Sequence, residues 1–327
     1  DTIQGDFMAT LASLTDAAMQ SFHDHHGMST TSQLRIDGVS RRARDRLVDA
    51  GILEHVHKCV YHITSTPLTL EARCAALSMA HPSGFVTGPT GGKIRVLRRM
   101  PTSANIHFSI PHTLGLAAIE GVTLRRSTIV DRGDIQRRAD GINIATPWRL
   151  AFDLAADLDD MDHASVVEQI LHDQHCGIGA LIVVGRRLVH PSRNGSTRFL
   201  ATLVGRVPGG PLESHPEVVI AKMLRARGVP VVAQTTWLDL PNGSKARIDL
   251  SVPHVCWGVE IDVHPDHLFL RGTTADKGRD RQAHLIGWQI ERVTALDLLD
   301  PEAIVDELVA LYVVRCDEQA ALRGLTG

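Results

Sequence analysis

Residues 246–252 and 256–263 alternate apolar and polar side chains so regularly that each must form a strand with one buried and one polar face. In the first, Ile248, Leu250 and Val252 share a face, which leaves Arg247, Asp249 and Ser251 on the other. In the second, Val259, Ile261 and Val263 are apolar, with Gly258, Glu260 and Asp262 opposite. A turn centred between His254 and Val255 sets Asp249 across from Glu260, and Arg247 across from Asp262. Facing carboxylates repel unless a cation lies between them, and hard oxygen ligands with room for water suit Mg²⁺ or Mn²⁺. Such an ion stabilises charge on a phosphate and activates water. The plainer alternative is that Asp249 is a solvated strand residue and that Asp262 is paired with Arg247.

The surroundings fit a single αβββαβ unit. Ser214 to Glu217 reads as a capping box with a proline near the first helical position, which accounts for Glu217 without any chemistry. Strands follow at 231–237, 246–252 and 256–263, then a helix over about 276–286, a strand at 289–294 and a last helix opened by Pro301. His264 and His267 stand just after the acidic strand as general bases, phosphate contacts or plain loop histidines. On the later helix Lys277, Asp280, Arg281 and His284 share a polar face, solvated or, for Lys277 and Arg281, within reach of a phosphate. Trp288 reads as a core residue.

Near the N-terminus the order is helix, helix, turn, helix, ribbon. Apolar residues between Phe7 and Phe22 recur at helical spacing, Thr30 and Gln33 form a capping box, and Ser40 caps a helix with Ala43, Leu47 and Val48 inward, ended by Gly51. Two short β-prone runs at 53–56 and 59–63 close the unit in the manner of a winged helix-turn-helix. Arg41, Arg42, Arg44 and Arg46 crowd the start of the third helix, where free N–H groups already favour anions, and Lys58 lies on the ribbon. The formal net charge is only -3, so contact with DNA has to come from such a local patch.

Residues 64–205 read as a mixed α/β region with strand-like pieces at 94–97, 105–110 and 122–127, helices at 147–158, 164–172 and 178–184, and no catalytic constellation. Pro208, Gly209, Gly210 and Pro211 mark 206–212 as a linker between separately folding units. Domains are therefore expected at 1–63, 64–205 and 206–327. The five cysteines are scattered, and no apolar stretch reaches about 18 residues, which points to a reducing, cytoplasmic setting and no membrane.

The segment "TTSQLRIDGVSRRARDRLVDAGILEHVHKCVYHI" resembles the N-terminal winged-helix domain of AbiEi-type antitoxins, and "HPSGFVTGPT" and "GINIATPWRLAFDLA" are more weakly similar to that family's second domain. The resemblance implies promoter binding and repression of a toxin operon. From about Pro211 onward, "ARIDLSV", "GVEIDVHPDH" and "GRDRQAHLIGWQIERVTALDL" resemble the PD-(D/E)XK nucleases, in the branch of the very-short-patch-repair endonuclease. Asp249, Glu260, Asp262, Asp280, Arg281 and Arg292 match that pattern by position, and Glu217 matches the acid of its first helix. Asp262 stands where the wider superfamily has Lys, as in this branch, and "VHPDHL" replaces its usual Gly-x-x-His-His.

The expected fold is thus a multi-domain α/β (α+β) chain: a winged helix, a middle α/β domain and a restriction-endonuclease-like αβββαβ domain. The expected function is Mg²⁺- or Mn²⁺-dependent hydrolysis of DNA phosphodiesters. Asp249 and Glu260 would hold the ion, Asp262 would stand beside them, His264 or His267 would take a proton, and Lys277 or Arg281 would steady the phosphate. Double-stranded DNA, a toxin or other protein, and a second copy of the chain are the candidate partners. The alternative is a non-enzymatic antitoxin-like repressor that retains an inactive nuclease fold.

Overall fold

The computed structural model describes residues 14–173, 176–262 and 270–325. The chain forms an α+β protein of two compact units: the first ends at Asp157 and regains Ala180–Gly195, and the second takes Leu158–Gly179 and everything from Ser196. No described helix is long and apolar enough to cross a membrane.

The first unit begins with α1 (Asp16–Asp24), β1 (Met28–Thr30), α2 (Thr31–Ile36), α3 (Arg41–Asp49), β2 (Leu53–His57) and β3 (Val60–Ile63). Thr30 and Gln33 cap α2 reciprocally, as their spacing predicts, and Ser40 accepts from the Ala43 N–H to start α3. Phe22, Leu34, Leu47, Leu53 and Ile63 build the core under these helices. The ribbon has a third strand that was not expected, because β1 pairs antiparallel with β3 and gives the order β1-β3-β2. The first expected helix began at residue 7; residues 7–13 lie outside the described residues.

The same unit continues with α4 (Leu70–Ala80), β4 (Phe85–Val86), α5 (Gly88–Ile94), β5 (Ile106–Pro111), β6 (Val122–Ser127), β7 (Ile135–Arg137), β8 (Asn143–Ala145) and α6 (Pro147–Leu154). The strands make a mixed sheet in the order β6-β5-β4-β8-β7, whose Phe108, Ile106 and Ile144 share a core with Cys74 and Leu77 of α4. Residues 94–97 are not a strand. Pro89 near the first position of α5 starts a helix that runs to Ile94, and Val96 then takes a left-handed conformation (φ 56°), outside the extended region of a regular strand.

The second unit contains α7 (Asp160–His172), part of α8 (Ile178–Leu188), α9 (Ser196–Val204), α10 (His215–Ala226), β9 (Val232–Asp239), β10 (Lys245–Val252), β11 (Trp257–Asp262), α11 (Leu270–Leu285), β12 (Gln289–Thr294) and α12 (Pro301–Leu325). Its sheet has the order β12-β11-β10-β9, parallel only between β11 and β12. Helix α11 starts earlier than the expected residue 276, and α9 was not foreseen. Trp257, Leu250, Val259 and Val293 pack with Val218 and Leu224 of α10 and Val305 and Leu308 of α12 into one core.

The stretch 206–212 is not a free linker. Arg206 pairs with the carboxylate of Glu168 at 2.6 Å, the Leu212 N–H donates to the same group at 3.1 Å, and Val207 and Leu212 are buried. The Ala233 N–H donates to Pro208 O and the Gly210 N–H to Ala233 O, each at 2.8 Å. Glycine is required there for proximity, since a Cβ on Gly209 would lie 2.2 Å from Ala233 O and its φ is 118°. The two compact units divide near residue 157, with a return at 180, and 206–212 lies within the second.

Candidate metal centre

Strands β10 and β11 pair antiparallel with Leu250 opposite Val259, Ser251 opposite Gly258 and Val252 opposite Trp257. One further step in that register brings Asp249 beside Glu260. The Asp249 carboxylate also ties to β11 next to Glu260: the Ile261 N–H donates to Asp249 Oδ2 at 3.0 Å. The apolar faces of both strands turn into the core, which leaves Asp249 and Glu260 together on the other side, half-buried.

Arg247 does not meet Asp262. It binds the carboxylate of Glu213 and lies over the Trp237 ring, 5.9 Å from its centroid. Asp262 Oδ2 is instead 3.6 Å from Arg292, whose fork makes two 2.8 Å bonds to Asp280. The parallel register explains this partner, because Arg292 stands opposite Glu260, two residues from Asp262 along the same strand pair.

A third acid joins from α10. Ser214 caps the helix by accepting from the Glu217 N–H, but the Glu217 carboxylate does not complete a capping box. It accepts from the Glu213 N–H at 2.9 Å and from Gln234 Nε2 at 2.9 Å, and the same Nε2 donates to Asp249 Oδ1 at 3.1 Å. The capping explanation for Glu217 is therefore incomplete.

Gln234 escaped the sequence reading, and its placement rests on a bulge. Ile248 opposes Thr236 but Leu250 opposes Ala233, so Gln234 and Thr235 together face Asp249. Gln234 takes φ 55° there, a conformation that glycine adopts freely and other residues adopt at a cost of about 1 kcal/mol. The bulge turns its amide toward the acids, where two acceptor-only neighbours require the NH₂ end to face them. The sequence carried no signal for this, since Gln234 sits in an ordinary β-prone run. Gln234→Gly should keep the bulge and remove the bridge. Two hydrogen bonds to charged groups disappear and backbone strain is relieved, so the metal-free melting free energy should fall by about 1–3 kcal/mol. An unchanged thermal melt would mean that the bridge carries no stability.

The cluster holds more negative charge than its surroundings neutralise. Burial, then the charge of Asp249, pushes the Glu260 carboxyl up to about 8, against the opposing pull of Arg292 and Arg279. Burial also raises Asp249, opposed by the Ile261 N–H and the Gln234 amide, and burial followed by Asp249 raises Glu217. Arg279 of α11, exposed like Arg281, is among the charges that act on Glu260. Arg281 lines an open groove with His284 and Leu285. His264 and His267 lie outside the described residues, and the side chain of Lys277 is likewise not among them.

Among the described residues, no three His, Cys, Asp or Glu side chains are grouped so as to hold a metal ion. A Mg²⁺-type ion needs fewer, because it keeps several waters and takes one or two protein carboxylates. The donor set of Asp249 and Glu260 fits that requirement: two hard oxygen ligands, adjacent, half-buried and short of positive charge.

In the first unit, Arg41, Arg42 and Arg46 are exposed on α3, and Lys58 is exposed in the turn between β2 and β3. Arg44 is not available to a ligand. It is buried, and its Nη1 donates to Val39 O at 2.8 Å. Helical spacing is the reason, since residues 44, 47 and 48 fall on one side of α3 and Leu47 is the centre of its inward face.

No protein-family model matches the chain, and no curated protein matches it. Among solved structures it is similar to one described as "Crystal structure of RV2827C protein from Mycobacterium tuberculosis", over 60% of this chain and 76% of that chain, at 16% sequence identity and a TM-score of 0.37. A likeness at that distance carries no argument about function.

Proposed function

We propose that this chain is a DNA-binding protein whose second unit hydrolyses DNA phosphodiesters with Mg²⁺ or Mn²⁺. The observation that carries the reading is the adjacency of Asp249 on β10 and Glu260 on β11, with Glu217 of α10 tied to Asp249 through the Gln234 amide. The αβββαβ order and the resemblance of its motifs to PD-(D/E)XK nucleases support it. When bound, the ion supplies charge stabilisation at a phosphate and an activated water.

The chain's own residues do the rest. Asp249 and Glu260 hold the ion by their carboxylates, with Asp249 oriented by the Ile261 N–H and by Gln234. Arg292 fixes Asp262 and Asp280 beside them. His264 or His267 takes the proton of the attacking water, and Lys277 or Arg281 steadies the scissile phosphate. The test is incubation of the purified full chain with supercoiled plasmid in Mn²⁺, Mg²⁺ or EDTA. Metal-dependent nicking supports the reading, and intact plasmid under every condition puts the non-enzymatic repressor in its place.

The N-terminal helices and ribbon are read as a winged helix with α3 as the recognition helix, on the strength of exposed Arg41 and Arg42 at its capped start and exposed Arg46 in its last turn. This feature favours DNA binding under either reading of the second unit. Arg41→Ala with Arg42→Ala should weaken duplex binding in a gel shift and lower the salt slope by about one for each phosphate that is no longer neutralised. Arg44→Ala should instead lower the melting temperature. Unchanged retention by the double variant would remove α3 from the interface.

A further inference from the structure

The first unit contains a cavity of about 840 Å³ that the proposed nuclease and winged helix do not use. It lies among β6, α6 and the segment after α8, and Arg125, Arg149, Arg187 and Arg193 all contribute to its wall. Four guanidinium groups around one hollow are an unusual concentration of forked N–H donors, and their acid partners are unevenly shared.

Arg149 is almost fully buried and held by two acids. Its Nε donates to both oxygens of Asp153 at 3.0 and 3.1 Å, and its Nη1 donates to Asp134 Oδ2 at 3.0 Å. Arg187 binds Asp131 and Asp134, and Arg125 binds Asp157 and, at 3.2 Å, Asp153 O. These acids hold the three guanidinium planes in place. Arg193 differs. Among the described residues its bonds go to neutral oxygens alone, Leu188 O and Thr128 Oγ1 at 3.1 Å. Burial, then the charge of Arg149 and to a lesser extent that of Arg187, depress its proton affinity, and the charge of Asp153 offsets this only in part. With Arg126 included, five arginines of the wall stand against the four carboxylates that serve them.

We propose that this cavity binds a phosphorylated small molecule, with its phosphoryl group at Arg193. A phosphoryl group offers several acceptor oxygens and more than one negative charge, which suits a fixed set of guanidinium forks better than a single carboxylate does. The hollow is larger than inorganic phosphate needs and lies in the size range of small-molecule sites, about 300–1,000 Å³. Ile129, Phe152 and Val189 give part of the wall an apolar character, which would face the organic part of the ligand. The lining acids Asp153 and Asp157 are engaged with Arg149 and Arg125, and although the charge of Asp153 reaches Arg193, the hydrogen bonds of Arg193 go to neutral oxygens, which leaves its fork room for an added anion.

Calorimetry on the full chain at constant ionic strength, with pyrophosphate, AMP and a short DNA duplex as separate probes, tests the proposal. Saturable binding of AMP or pyrophosphate, weakened about tenfold or more by Arg193→Gln, is the expected result, since one charged hydrogen bond is worth about 1.5–3 kcal/mol. Arg193 is only partly buried, so this variant should still fold. If it does not fold, Arg193→Lys, which keeps the charge and loses the fork, should show the weakening in its place. Absence of saturable binding of either small probe, binding indifferent to the Arg193 variants, or retention of the duplex alone would overturn it.

Discussion

Asp249→Asn should leave supercoiled plasmid intact in Mn²⁺ under conditions in which the unaltered chain nicks it. The substitution keeps the side chain's volume, and the amide oxygen still accepts from the Ile261 N–H, so the hairpin of β10 and β11 should survive. What disappears is one of the two charges that hold the ion. Loss of a partner that merely orients a metal ligand costs about 10–100-fold, so loss of the ligand itself should cost at least about 100-fold in cleavage. Folding gives an independent readout. Asp249 raises the proton affinity of both Glu217 and Glu260, so its charge is unfavourable in the metal-free cluster. The Asn variant relieves that repulsion but turns its NH₂ toward the Gln234 NH₂, so the two effects offset and it should stay folded near pH 8 without metal. Loss of nicking in a variant that still melts cooperatively would identify Asp249 as a ligand. Equal nicking by wild type and variant would assign any cleavage to something other than this cluster, and the repressor reading would stand.

Strand alternation and capping chemistry were the parts of this molecule that could be read in advance. The i, i+2 pattern around Asp249 and Glu260 placed both acids on one face, and a turn near His254 was enough to derive their register. Thr30 and Ser40 announced two helix starts because their side chains satisfy particular N–H groups. Features that depend on packing across long separations were not legible. Nothing near Gln234 in the chain indicates that a non-glycine residue will take φ 55° and turn toward acids from two other elements. Glycines at 209 and 210 suggest flexibility when read alone, yet they allow a close approach to Ala233. The buried position of Arg44 was accessible from helical spacing, and counting arginines without their faces concealed it.

Between about pH 5 and pH 8, Glu260 should subtract from the stability of the metal-free protein, and Mn²⁺ should reverse that loss. The ordinary glutamate value is 4.5, whereas in the folded cluster the group is raised to about 8. Below the first value both states hold the proton and pH has no effect through this group. Between the two values the unfolded chain has released the proton and the folded chain retains it. The unfolded state then binds fewer protons, so stability falls as pH rises through the window, and the loss is complete above about 8. Each unit of separation corresponds to about 1.4 kcal/mol, and partial exposure reduces the total to about 2–4 kcal/mol. His57, His81 and His107 work in the other direction, because burial lowers them and the neutral ring they favour becomes available as pH rises. The decisive quantity is therefore the difference between wild type and Glu260→Gln, in which the histidine contributions cancel. In EDTA the variant should gain on the wild type by several degrees from pH 5.5 to pH 8. Added Mn²⁺ should raise the wild-type melt, more at pH 8 than at pH 5.5, because only the ionised carboxylates bind it, and it should leave the variant nearly unmoved. Parallel pH profiles for the two proteins in EDTA, or an equal Mn²⁺ shift in both, would mean that Glu260 is neither the strained acid nor the ligand.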